Sequence, residues 1–326
     1  MPNLLAHHLL VKRFALKEAE LRSAYPGAED FITGNFDYLA LGAQGPDPLF
    51  YLGIVPGHAL HLVAASKKIG NALHKEDGKR FFRLLVERSY RIEPEGNLNR
   101  TQRQFKAFIF GQFSHYLLDR ECHPYILYES GFDKETGKIK GHSHYDHAHF
   151  ESEIDFALCQ KYHYDYFLSH PADILPDNKL VLKLIDENLN QPLCQMYGLN
   201  HLPKHFYSNA LINMKSMITY LNKGSDFRAA VFPKNISVKG MRLPKEVNED
   251  VLNEKREFWL DPVTGERHEE SFLELHSRAF QILEEAYEEI LKNGFNYESF
   301  AKYINGLSYY GTPLDAKWTY QRRHKD

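Results

Sequence analysis

Histidines and acidic residues recur at helical spacing in this chain. His115, Asp119 and His123 form an HxxxDxxxH run within FGQFSHYLLDRECHPY, and His147 and Glu151 form an HxxxE pair within HSHYDHAHFESEID. Residues four apart on an α-helix share a face about one turn apart, so each run can aim its side chains into a common cavity. Asp47 stands apart from both, in the Gly- and Pro-rich turn LGAQGPDPLFY. Imidazole nitrogens mixed with carboxylate oxygens suit zinc or a similar borderline cation. A carboxylate can bridge two cations where an imidazole cannot, and a bridging Asp119 would hold them near the roughly 3.5–4 Å used in two-metal phosphate chemistry. The pattern points to a multinuclear metal hydrolase.

The elements that must position these groups read as helices nearly throughout. Residues 3–22 carry a rough apolar stripe, residues 58–74 read as a helix with His74 near its end, and Asp77 caps another reaching about Ile92. The longest helical pattern runs from about Asn99 to Cys122. Pro124 disfavours the helical conformation at the residue before it, which places His123 at a helix terminus. A helix from near Tyr145 to Ser169 carries His147, Glu151 and Asp155 on one side, and further helices are expected over 177–190, 204–222, 270–293 and 296–307. Residues 42–57 read as an ordered loop that presents Asp47. From about Lys223 to Glu269, prolines and glycines break the periodicity, which predicts a long irregular surface insertion or a lid over the cavity. The expected fold class is all-α, with 1–326 as a single helical domain carrying that insertion.

Composition narrows the function. At 326 residues and 43% apolar, the chain can bury a substantial core. A formal net charge of -3 and the lack of a basic tract before the C-terminal QRRHKD leave no footprint for polymeric nucleic acid as an obligate partner. No run approaches 18 apolar residues, so no transmembrane segment is expected. Cys122, Cys159 and Cys194 are odd in number and widely spaced, which argues against a disulfide framework and for a reducing compartment. The opening MPNLLAHHLLVKR lacks the pattern of an export signal, so the expected location is cytoplasmic.

Several residues carry a plainer reading. On position alone the His7–His8 pair is structural, and His74 is equally a solvated residue at a helix end. His142, His144, His163, His170, His201 and His205 read as surface or packed residues, and Cys122 and Cys159 as small apolar groups. A di-iron centre would show a Glu-x-x-His signature, which is absent. The alternative to an enzyme is a non-catalytic helical protein with closed zinc sites, since a structural site leaves no position open to water.

The order of the motifs resembles that of the zinc-dependent phospholipase C family, whose helical fold is shared by fungal single-strand nucleases. The resemblance rests on an early histidine, the GxQGPDxxFY turn, GxxxH, HxxxDxxxHPY and HxxxE, all within residues 1–155. The later stretch WLDPVTGERHEESFLEL is also similar to one carried by bacterial members. The resemblance implies a phospholipase C/nuclease-like fold, two or three zinc ions, and a small phosphoester or phospholipid headgroup as substrate. Position by position, it implies that Asp47, His74, His115 and Asp119 serve one zinc, and that His123, His147 and Glu151 bind a second. Asp119 would bridge to a third, held partly by the early histidine, His7 in preference to His8. Secreted members complete that third site with the amino group and carbonyl of their processed first residue, whereas Met1 here stands several residues upstream of His7. The interval from Asp119 to His123 is also shorter than in those enzymes. Asp47 would be a ligand, a general base on the attacking water, or both. Glu121, Asp146, Glu153 and Asp155 are the expected partners for the outer nitrogens of the histidine ligands.

Overall fold

A computed structural model of the protein describes residues 4–52, 68–93, 99–139, 142–223 and 240–322. In chain order the elements are α1 (Leu4–Ser23), α2 (Phe36–Gly42), a 3-10 turn (Asp47–Phe50), α3 (68–74), α4 (Lys79–Tyr90), α5 (Arg100–Ser130), α6 (His142–Lys161), α7 (Asp165–Ser169), a second 3-10 turn (Pro171–Ile174), α8 (Lys179–Tyr197), α9 (Phe206–Asn222), β1 (Trp259–Leu260), β2 (Arg267–His268), α10 (Phe272–Asn293) and α11 (Tyr297–Ala301). The chain is mostly helical, as the sequence predicts, and β1 and β2 form a small antiparallel pair. No described helix is long and apolar enough to cross a membrane.

Helix α5 organises the rest. From Phe105 to Tyr128 nearly every side chain is buried whatever its direction. A helix apolar on all sides has to be enclosed by its neighbours. Helices α1, α2, α4, α6, α8 and α10 all pack on it. The crossing with α2 is the tightest, because glycines meet there. A Cβ on Gly42 would stand 2.1 Å from the Phe108 carbonyl oxygen, and one on Gly111 would stand 2.2 Å from that of Leu39. Backbone therefore lies on backbone, and the turn that follows α2 is delivered against the middle of α5.

Residues 240–269, within the expected irregular insertion or lid, form a brace for α5. Val251, Leu252 and Trp259 join the core, and the Trp259 indole packs edge-on to Tyr125 while stacking on His268. The Asp261 carboxylate accepts from the Val263 and Thr264 amides and closes the β1–β2 turn, where Gly265 takes a positive φ. A Ser271–Glu274 capping box then starts α10. This is the role of WLDPVTGERHEESFLEL in the fold. The expected helix start at 58–67, and residues 224–239 of the expected lid, lie outside the described residues.

Four local expectations are corrected. Helix α5 runs through His123 and Pro124 to Ser130 rather than ending at His123. The proline ring and the Arg120 carbonyl face Gly311, where a Cβ would approach them to 2.7 and 2.2 Å, so tertiary packing outweighs the local preference at the residue before proline. Helix α6 stops at Lys161, and His163 takes a left-handed φ of 59° before α7 begins. Helix α11 covers only Tyr297–Ala301, whereas α8 continues through Pro192 to Tyr197.

His8 lies about 100° round α1 from its neighbour His7, with its ring edge-on to Phe36 and Phe167. Burial, with a smaller effect from Lys12, pushes its pKa down to about 4. Two outcomes are expected. Gly111→Ala should destabilise the protein by about 2–3 kcal/mol or more, read as a lowered denaturation midpoint, because the helix backbones must separate. For His8 the unfolded chain binds the proton first as pH falls, so stability is lost between its ordinary pKa and about 4, by on the order of 3 kcal/mol. Denaturation of wild type and His8→Leu at pH 7.5 and 5 should show a smaller fall for the variant; equal falls would remove His8 as the cause.

Candidate metal centre

The eight candidate residues, six singled out by type and spacing and His7 and His74 by the family resemblance, converge on one interior region, drawn from five segments. His7 comes from α1, Asp47 from the first 3-10 turn, His74 from α3, His115, Asp119 and His123 from α5, and His147 and Glu151 from α6. All are buried. His74, equally readable as a solvated helix end, has no exposure.

Asp119 sits in the middle. Its Oδ1 is 3.2 Å from His7 Nε2 and 3.8 Å from His123 Nδ1, and its Oδ2 is 3.1 Å from His115 Nε2 and 3.9 Å from His74 Nε2. Asp47 Oδ1 lies 3.1 Å from His74 Nε2 and 3.7 Å from His115 Nε2. On the other side, Glu151 Oε1 is 3.0 Å from His147 Nε2 and 3.8 Å from His123 Nε2. Three groups of donor atoms result, each within 4.8 Å of one another: His7, His115 and Asp119; Asp47, His74 and His115; His123, His147 and Glu151.

Local structure explains the aim of each side chain. Gly45, with φ +54°, lies flat on the His115 ring, where a Cβ would stand 2.3 Å from it. Its carbonyl accepts from Gln112 Nε2 and from the Tyr207 hydroxyl, both at 3.2 Å, which pins the turn before Pro46 and Asp47. The N-terminal end of α1 is held by Asp155, whose two oxygens each accept a backbone amide at 2.8 Å, from Leu5 and Ala6. That contact presents His7 to Asp119, and its ring stacks on His115 at 4.0 Å.

The outer nitrogens of four imidazoles are committed elsewhere. His74 Nδ1 donates to the Gly70 carbonyl at 2.8 Å, His115 Nδ1 to Ala43 at 3.0 Å, and His123 Nδ1 to Tyr309 at 2.8 Å. Ser130 Oγ donates to the Ile126 carbonyl, so its lone pair takes the proton of His147 Nδ1 at 3.1 Å. With Nδ1 engaged in this way, each ring turns its Nε2 toward a carboxylate. Lone pair facing lone pair at 3 to 4 Å is repulsive unless a proton or a cation stands between them. The buried His7 Nε2, His115 Nε2 and His123 Nε2 and both Asp119 oxygens indeed lack hydrogen-bond geometry to any described group. Donors of this type and direction fit a divalent cation such as zinc.

Titration behaviour follows the same geometry. Burial works to raise Asp119, but His115 and His123 outweigh it and hold the carboxyl well below its usual range. Burial works to lower His115, and Asp119 and Asp47 outweigh that and raise it. His7, His123 and His147 are lowered, first by burial, so they stay neutral and able to ligate.

The acidic partners expected for the imidazoles are not where the sequence places them. Glu121 pairs with Arg120 and Arg278, Glu153 faces His149, Asp146 is exposed, and Asp155 holds backbone amides. Backbone carbonyls and Ser130 take that role, and a carbonyl has no signature in a sequence. Tyr309 is the residue the spacing missed, since it lies far from every cluster along the chain. His144, His163, His170, His201 and His205 are exposed and outside the three groups, and Cys122 and Cys159 are buried thiols in the core.

Comparison with known families matches residues 1–201 to the model of zinc dependent phospholipase C, an interval containing all eight residues. No curated protein and no solved structure matches the chain. Ser130→Ala should weaken the tightest metal binding of the His123–His147–Glu151 group about 10- to 100-fold in competition with a chelator, while leaving the helical circular dichroism unchanged. An unaltered affinity would show that Ser130 does not orient His147.

Proposed function

The chain belongs to the zinc-dependent phospholipase C family, and from that footing we propose that it is a phosphoric ester hydrolase, phospholipase C-like, acting on a phosphodiester such as a phospholipid headgroup linkage. The observation that carries this reading is the convergence of three buried donor groups, in which His7 Nε2 and His115 Nε2 stand 3.2 and 3.1 Å from Asp119 and neither those nitrogens nor the Asp119 oxygens have hydrogen-bond geometry to a described group. Three donor groups within one interior region, two of them sharing His115, favour two or three ions held close together. Asp47, His74, His115 and Asp119 would hold one, His123, His147 and Glu151 a second, and His7 with Asp119 the third. Zinc bound there supplies Lewis acidity, making water a nucleophile near neutral pH and offsetting charge on phosphoryl oxygens.

The protein's own groups do the remainder. Asp47 enters from a turn fixed by Gln112 and Tyr207 rather than from a helix, so it combines rigidity with a position at the edge of the cluster. It is the candidate to orient the attacking water and take its proton. Water adds across the ester: its oxygen bonds to phosphorus as the bond to the leaving alcohol breaks, and the hydrogens end on phosphate and alcohol. The buried walls exclude bulk water, which strengthens each charge interaction inside. The family relationship supports a lipid-type substrate.

Purified protein should contain two or three zinc ions by elemental analysis and hydrolyse a generic bis-aryl phosphate, with activity stopped by a chelator and restored by zinc. Asp119→Asn should lose bound zinc and at least about 10³-fold in kcat/KM, and Asp47→Asn should lose about 10²-fold or more. Zinc held without any phosphoester turnover would replace this reading with a structural role for the metal.

A further inference from the structure

The chain beyond the matched interval returns to the centre. Tyr309 lies next to the clusters through its backbone, its amide donating to the His74 carbonyl at 3.2 Å and its carbonyl accepting from His123 Nδ1. A tight turn holds it there. The Ser308 amide donates to the Thr312 carbonyl at 2.9 Å, the Tyr310 amide donates to Ser308 Oγ at 3.2 Å, and Gly311 sits on α5 at a positive φ where no Cβ fits.

This turn presents Tyr310 to the site. Its ring centroid is 5.3 Å from that of His123 and 6.2 Å from that of His74, with Trp318 packed 5.1 Å behind it. The side chain is half-buried, and its hydroxyl makes no hydrogen bond with the described residues. An unpartnered O–H donor beside those clusters, on a side chain locked by Trp318 and the 308–312 turn, is placed to meet an oxygen of whatever the centre binds.

We propose that Tyr310 is a substrate-binding residue whose hydroxyl donates a hydrogen bond to a non-bridging phosphoryl oxygen of the bound ester. The proposal rests on the phosphoester reading and adds to it a contact from outside the family match. Tyr310 gives up no proton. Its bond strengthens as charge builds on that oxygen, while the oxygen of water joins phosphorus and the alcohol leaves.

Tyr310→Phe keeps the ring packing and removes the donor, so zinc content, the dissociation constant for inorganic phosphate, and kcat/KM on bis(4-nitrophenyl) phosphate are measured in parallel on wild type and variant. The expected result is unchanged zinc, about tenfold weaker phosphate, and kcat/KM lower by about 10- to 100-fold. Phosphate affinity and turnover equal to wild type would overturn the proposal, as would loss of zinc from the variant, which would make the residue structural. Wild-type protein devoid of zinc and of turnover would instead bring down the hydrolase reading itself, and this contact with it.

Discussion

A carboxylate with no exposure in the middle of an apolar helix is the constraint around which this protein is built. Burying the charge of Asp119 alone would cost several kcal/mol. The fold answers with imidazoles from α1, α3 and α5, yet three of the four rings beside it give their Nδ1 proton to a backbone carbonyl. Those rings turn Nε2 toward Asp119 or, in the case of His123, the flank of an engaged N–H. His115, raised by Asp119 and Asp47, offsets part of that charge, but His7 and His123 are lowered by burial and do not, and a cation among these groups would. The centre is therefore electrostatically incomplete in protein groups alone, and that incompleteness is what suits it to hold metal.

Everything near the centre limits movement. Gly42 and Gly111 let two helix backbones touch, so the turn bearing Asp47 cannot drift away from His115. Gly45 lets that turn lie on the imidazole itself. Asp155 fixes the start of α1 through two amides, and with it the stacking of His7 on His115. The C-terminal turn closes the other side through Tyr309 and Gly311, contacting α3 and α5 together. Metal ligands placed by backbone contacts lose little freedom when a cation binds, which favours tight and geometrically defined coordination.

The i, i+4 runs on α5 and α6 were legible because helical geometry converts spacing into a shared face without reference to anything else. Asp47 was legible from its Gly-Pro turn, whose conformation is local. The end of α5 was misread because the preference set by Pro124 is weak beside the packing of Gly311 against Arg120 and Pro124, a contact about 190 residues distant in sequence. The helix expected to reach Ser169 was broken at His163, and the acidic partners assigned to the histidines turned out to serve arginines, another histidine or backbone amides.

From its sequence alone the chain is bound to be helical, to carry its donor atoms on helix faces and one tight turn, and to favour borderline cations, because periodicity, turn chemistry and ligand type are properties of neighbouring residues. Whether His7 or His8 faces the cluster, how the segments divide into three donor groups, which atoms hold the imidazoles, and that Tyr309 and Tyr310 come back to the site depended on tertiary structure. Those choices are made by contacts between residues tens to hundreds of positions apart, and a backbone carbonyl that decides the direction of an imidazole is identical in every residue that could have supplied it.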